Sequence, residues 1–288
     1  MGMLINEITG WLKGMLIDGI MNNLSGMFDS VNRQVLNAAS QIGSTPESFS
    51  PGVFGMVRNI SESVILPIAG MFLTFVACYE LIQLIVEHNN MASFETWVFF
   101  KWIFKTFAAV MLISNTFSIV MAVFDVSQHV VNSSAGLITG SLEIDDSVLS
   151  SIREGLEGME TGDLLGLFLQ SFIVQICSVI LSVLIFVIVY GRMMEIYLMT
   201  SLAPIPFSTF GNREQSHIGQ NYLRSLLALG FQGFLIMVCI AIYSVLLRTA
   251  VISDDIIGSI WGVMGYTVLL CFSLFKTGSL AKSVMSAH

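Results

Sequence analysis

Charge is what this chain has least of. Only 11% of its residues are Asp, Glu, Lys or Arg, against roughly 25% in soluble domains, while 55% are hydrophobic. Such a chain cannot build a water-facing surface, so a soluble globular fold is excluded and lipid must cover it. Catalytic signatures are missing too. There is no HExxH, GxSxG, Walker GxxxxGKS/T or CxxC. His88, His129, His217 and His288 lie in separate segments, none beside a second ligand at metal spacing. Cys78, Cys177, Cys239 and Cys271 all fall inside apolar runs and read as small hydrophobes in helix packing. No basic stretch leading into a compact apolar region opens the sequence, so no cleavable signal is expected. The expectation is a protein that is not an enzyme and uses no cofactor or metal.

What the chain does have is long apolar runs, and one organises the rest. From Leu164 to Val189 there is no charged side chain. About 20 residues at 1.5 Å each cross a hydrocarbon core of about 30 Å, so this run spans a membrane. It ends on Arg192 and Glu195, three apart and therefore on one helical face, and then on Pro204 and Pro206, which forbid a regular helical continuation. Within the run, Gln175, Ser178 and Ser182 recur at i, i+3 and i+7 and make one face polar. That face suits either an aqueous path or hydrogen bonding between helices, the second being commoner in membranes.

Four more spans are read around it: Glu62 to Val86, Trp97 to Phe124, Tyr222 to Leu247, and Ile256 to Phe275. Glu80 lies inside the first. A carboxylate there costs about 2.5–3.5 kcal/mol on insertion scales, so it is either a pore or relay group or an ion-paired residue near the interface. Gly258 and Gly262 form a small-xxx-small pair that lets helices approach closely. Residues 1–40 carry apolar side chains at helical period but are interrupted by Lys13, Asp18, Asp29 and Arg33, which argue against spanning. An interfacial amphipathic helix, on the bilayer or on partner subunits, and a helix packed on the rest of the chain fit equally well. Residues 41–60, with Pro46, Pro51 and several glycines, read as a connector.

Residues 125–163 form the one long polar stretch. Eight carboxylates stand there against Arg153 alone, leaving seven of the chain's eight net negative charges in this segment. The surface would repel phosphates, which excludes nucleic-acid binding by it. Val148, Leu149, Ile152, Leu156 and Met159 keep helical spacing, so a short helix is expected. Asp145 and Asp146 lack EF-hand spacing and read as a solvated face rather than a calcium site. Lysines and arginines set orientation. They gather in the 87–105 and 191–224 segments and the tail, which places the N-terminus outside, the C-terminus inside and the acidic segment outside.

Two segments carry a resemblance, RMMEIYLMTSLAPIPFSTFG at 192–211 and GSLAKSVM at 278–285. With the layout of spans over residues 60–288, they resemble the TrbL family, the sixth VirB protein class, polytopic membrane subunits of type IV secretion and conjugation systems of Gram-positive type. The resemblance implies a channel subunit of the cytoplasmic membrane, on the path of relaxase-bound DNA or protein. It implies a homo-oligomeric ring, a pentamer, beside ATPases, a coupling protein and other secretion subunits. In that setting Arg192, Glu195, Pro204 and Pro206 would shape the cytoplasmic mouth and dock partners. The Gln175, Ser178 and Ser182 face, or the Gly258 and Gly262 face, would be buried between subunits or line the path.

The reading is therefore an all-α integral membrane protein of about five transmembrane helices, with an N-terminal amphipathic helix and an extracytoplasmic loop helix. Its parts are 1–60, the amphipathic helix and connector; 61–124, two spans; 125–163, the acidic segment; and 164–288, three spans and a cytoplasmic tail. The membrane domain of a small-solute transporter would show matched broken spans in two halves. Only one broken span, at 191–206, is found. A membrane scaffold without a pore is the third reading.

Overall fold

A computed structural model describes residues 2–87, 96–138, 146–212, 214–251 and 256–287. Asp145, His88 and His288, weighed above, lie outside them. Among the described residues there are helices and turns and no strand. In order they are α1 (Gly2–Ile42), α2 (Pro46–Phe49), α3 (Pro51–Ile60), a π-helical turn (Ser61–Ile65), α4 (Leu66–Glu87), α5 (Thr96–Ser114), α6 (Thr116–Ile138), α7 (Asp146–Glu157), α8 (Thr161–Leu202), α9 (Pro204–Ser208), a 3-10 turn (Thr209–Gly211), α10 (Ser216–Val251) and α11 (Ile256–Val284). Among the described residues, five helical stretches are long and apolar enough to cross a membrane: Pro51–Val86, Trp97–Ser114, Thr161–Leu202, Ser216–Leu247 and Trp261–Val284.

The long apolar helices sit where the apolar runs put them, but several boundaries differ. The expected connector is helical. Thr45 caps α2 by accepting from the Ser48 N–H at 2.9 Å, and Pro46 and Pro51 each stand in a first helical turn, where the missing N–H costs nothing. Helix α3 then runs on through the π turn into α4, so the first apolar helix begins at Pro51 rather than Glu62. The π turn lies just before Pro67. There the Leu66 N–H reaches back five residues to the Ser61 carbonyl, a local widening where the proline supplies no donor of its own.

The second span is interrupted at Asn115. The Asn115 amide donates to the Met111 carbonyl at 2.8 Å and the Thr116 hydroxyl to Leu112 at 3.0 Å. Side chains that compete for backbone carbonyls in this way locally disturb a helix. Helix α6 then continues to Ile138, so the acidic segment is helical over 125–138 instead of opening as a loop at Asp125. Helix α7 is the short helix expected inside it. The last apolar helix runs past Phe275, since α11 carries helix as far as Val284.

The chain divides into two compact units. The first comprises Met1–Ile42, Val131–Tyr190 and Leu235–Thr277. In it Leu16, Ile20, Leu24, Met27, Val31 and Val35 of α1 are buried. Tyr243 of α10 and Thr267 of α11 share a hydrogen bond of 3.1 Å. The second comprises Gly43–Val130, Gly191–Phe234 and Gly278–His288. Its apolar centre joins Leu73, Ala109, Val120, Phe124, Ile196, Phe207 and Leu226. Among lipids such helices associate by close packing and hydrogen bonds rather than by escape from water.

Candidate functional site

Within the second unit the end of α8 turns back on itself. Helix α10 returns antiparallel to it. The Arg192 Nε donates to the Leu229 carbonyl at 3.3 Å, and the Tyr222 hydroxyl donates to the Met199 carbonyl at 2.6 Å. Arg192 is 7% exposed, an unusual place for a guanidinium unless it is hydrogen-bonded and paired. Glu195, one turn on, supplies the nearby negative charge. Glu195 also accepts from Lys282 Nζ at 3.2 Å, so a chain of alternating charge runs from a buried cation to an exposed one. The Tyr197 hydroxyl donates to the Pro46 carbonyl at 2.6 Å, tying the α2 turn to the same end.

The turn itself is tightly built. Ala203 keeps helical angles, and its N–H shifts to the Thr200 carbonyl at 3.3 Å. The prolines thus interrupt α8 over a single residue. Pro204 opens α9 at its first position and is buried with Phe207 and Ser208. Thr209 Oγ1 donates to the Pro206 carbonyl at 2.8 Å and accepts the Gly219 N–H at 3.1 Å. Asn212 Oδ1 accepts the Glu214 N–H at 2.7 Å, closing the loop before α10. A Cβ at Gly219 would stand 2.8 Å from the Pro206 carbonyl oxygen. Only glycine lets the two segments meet so closely.

Arg192, Glu195, Pro204 and Pro206 are therefore brought into one corner. Glu80 lies elsewhere in this unit, ion-paired with Lys105 of α5, while Trp102 Nε1 donates to the Ala77 carbonyl at 3.1 Å. Of the two readings of Glu80, the pair is what the structure contains.

Gln175, Ser178 and Ser182 belong to the first unit; Gln175 and Ser182 meet α1, while the Ser178 hydroxyl donates to the Val174 carbonyl of its own helix at 3.0 Å. Ser30 and Ser182 hydroxyls lie 3.1 Å apart, Asn23 Nδ2 donates to Ser171 Oγ at 3.1 Å, and Gln41 Nε2 donates to the Tyr190 hydroxyl at 3.2 Å. A Cβ on Gly26 would stand 2.8 Å from Gln175 Nε2. Rising numbers on α1 meet rising numbers on α8, so the two helices run parallel. Through Ser182 this polar face hydrogen-bonds to another helix of the same chain. Gly19, Asn23, Gly26 and Ser30, small or polar at spacings of four and three, are the half of this seam that the sequence reading missed. Gly258 is exposed on α11 and Gly262 partly buried.

The described residues, all helix and turn with five bilayer-length apolar helices, define a multi-pass membrane protein. Residues 31–204 match the family described as TrbL/VirB6 plasmid conjugal transfer like protein, and because that is more than half of the chain, the chain belongs to this family. The match begins inside α1, well before residue 60. It takes in Arg192, Glu195 and Pro204 and stops short of Pro206 and of the tail. No curated protein and no solved structure matches the chain.

Proposed function

We propose that this chain is the cytoplasmic-membrane subunit of a conjugative type IV secretion channel and forms part of the path for relaxase-bound DNA or protein. It works in a homo-oligomeric ring, a pentamer, beside ATPases, a coupling protein and other secretion subunits, and catalyses no reaction itself. The family match over residues 31–204 carries this reading.

The orientation is proposed on three grounds. Basic residues cluster toward the 191–224 segment and the tail. The tail lies beside the end of α8 through Lys282 and Glu195. Within the first unit, Lys13 Nζ donates to the Glu157 carbonyl at 2.8 Å and Arg153 pairs with Asp18 at 2.8 Å. The start of α1 thus shares a side with acidic α7. The N-terminus and α7 face outside, and the Arg192–Pro206 corner faces the cytoplasm, where it forms the mouth that motor subunits dock on.

Deleting the gene tests the function. Transfer of the element should be lost and return when the full chain is supplied in trans, and the purified chain should run in detergent as a ring of several copies. Undiminished transfer in the deletion strain would refute the reading, and a monomer competent for solute uptake would favour a permease.

A further inference from the structure

Helix α1 is amphipathic, yet it lies lengthwise along a span. Its contacts with α8 extend from Gly19 against Phe168 to Gln41 against Tyr190. That length is about 33 Å at 1.5 Å per residue, the thickness of a hydrocarbon core. At the same level the outward face of α8 is wholly apolar, with Leu169, Phe172, Ile176, Val179, Val183 and Phe186 exposed. Over that stretch the outward face of α1 is polar. From Asp18 to Ser40 its exposed residues are Asp18, Asn22, Asp29, Arg33, Asn37 and Ser40, with Leu36 the one apolar exception. Asp18, Asn22, Asp29, Arg33 and Ser40 follow spacings of four and seven, which holds them within about 60° around the helix. Asp29 and Arg33 pair at 3.6 Å while remaining 64% and 75% exposed.

A charged stripe at the depth of a lipid-facing span cannot face lipid. A partner helix docked on it would bury Asp29 and Arg33 and gain almost no apolar contact in return. Water covers it at least cost. A single stripe occupies only part of a circumference, so several must face one another to enclose a path.

We infer that the Asp18–Ser40 stripe of α1 lines a water-filled path, enclosed by the same stripe of neighbouring copies and leading from the α7 end inward beside α8. This rests on the reading of the chain as a multi-copy membrane subunit. It assigns the lining to α1 and removes the Gln175, Ser178 and Ser182 face from that role.

The test uses the full chain in its membrane, with Cys78, Cys177, Cys239 and Cys271 replaced by serine. Single cysteines are placed by Asp29→Cys, Arg33→Cys and Asn37→Cys on the stripe, and by Val179→Cys and Val183→Cys on the apolar face of α8. A charged, membrane-impermeant thiosulfonate is the probe. The stripe positions should react roughly 100-fold faster than the α8 positions, since excluding a charge from hydrocarbon costs about 3 kcal/mol at 1.36 kcal/mol per factor of ten. Protection of both sets would overturn the water-filled path while leaving the membrane placement standing. Rapid reaction of both sets would overturn the placement of α8 in lipid.

Discussion

Lys282 Nζ lies 3.2 Å from Glu195 Oε1. This joins the two segments that carry the family resemblance across 86 intervening residues. Both side chains are about half exposed, 49% and 46%, so the pair stabilises the fold by no more than about 1 kcal/mol. Its use is positional. Lys282→Glu should lower transfer frequency with little change in detergent melting temperature, and Lys282→Arg, which keeps the charge, should retain transfer. Equal transfer in both would remove the pair from function.

Arg192 should behave differently because it is buried. Arg192→Ala removes a charged hydrogen bond to the Leu229 carbonyl, at a cost of about 1.5–3 kcal/mol, and removes the charge facing Glu195. Melting temperature and transfer should fall together, with Arg192→Lys intermediate. Normal transfer at normal protein level would exclude Arg192 from the mouth.

Gly219 tests the corner without touching a charge. In Gly219→Ala the new Cβ meets the Pro206 backbone oxygen, which cannot swing aside, and about 1–3 kcal/mol should be lost. Gly52→Ala, where nothing lies within 4 Å, is the control and should leave melting unchanged or slightly raised.

The seam of α1 and α8 can be trapped. The Ser30 and Ser182 hydroxyls are 3.1 Å apart, within reach of a disulfide between cysteines at those positions. With the native cysteines replaced, Ser30→Cys with Ser182→Cys should oxidise to an internally linked species on a non-reducing gel. Ser30→Cys with Ser171→Cys should not, because Ser171 meets Asn23, about two turns from Ser30, and lies about three turns from Ser182.

Much of this fold was legible in the sequence because membrane insertion depends on summed apolarity, which a run such as 164–189 displays directly. The Pro204 corner was legible because a proline's missing donor acts wherever it stands. Pro46 and Pro51 misled for the same reason. A proline at a first helical turn starts a helix as readily as one inside a helix ends it, and nothing local separates the two cases. The break at Asn115 depends on which carbonyl its amide finds, and the alternatives differ by little energy. For α1, periodicity shows that one face is covered but not by what. The covering helix, α8, lies about 150 residues further along the chain.

The central claim is a membrane subunit with α7 outside and the Arg192–Pro206 corner inside. Labelling of Glu154→Cys and His217→Cys, both exposed positions, in intact cells tests it most directly. In a chain without its native cysteines, an impermeant maleimide should label Glu154→Cys in whole cells and His217→Cys only after the membrane is opened. The reverse pattern would contradict the account.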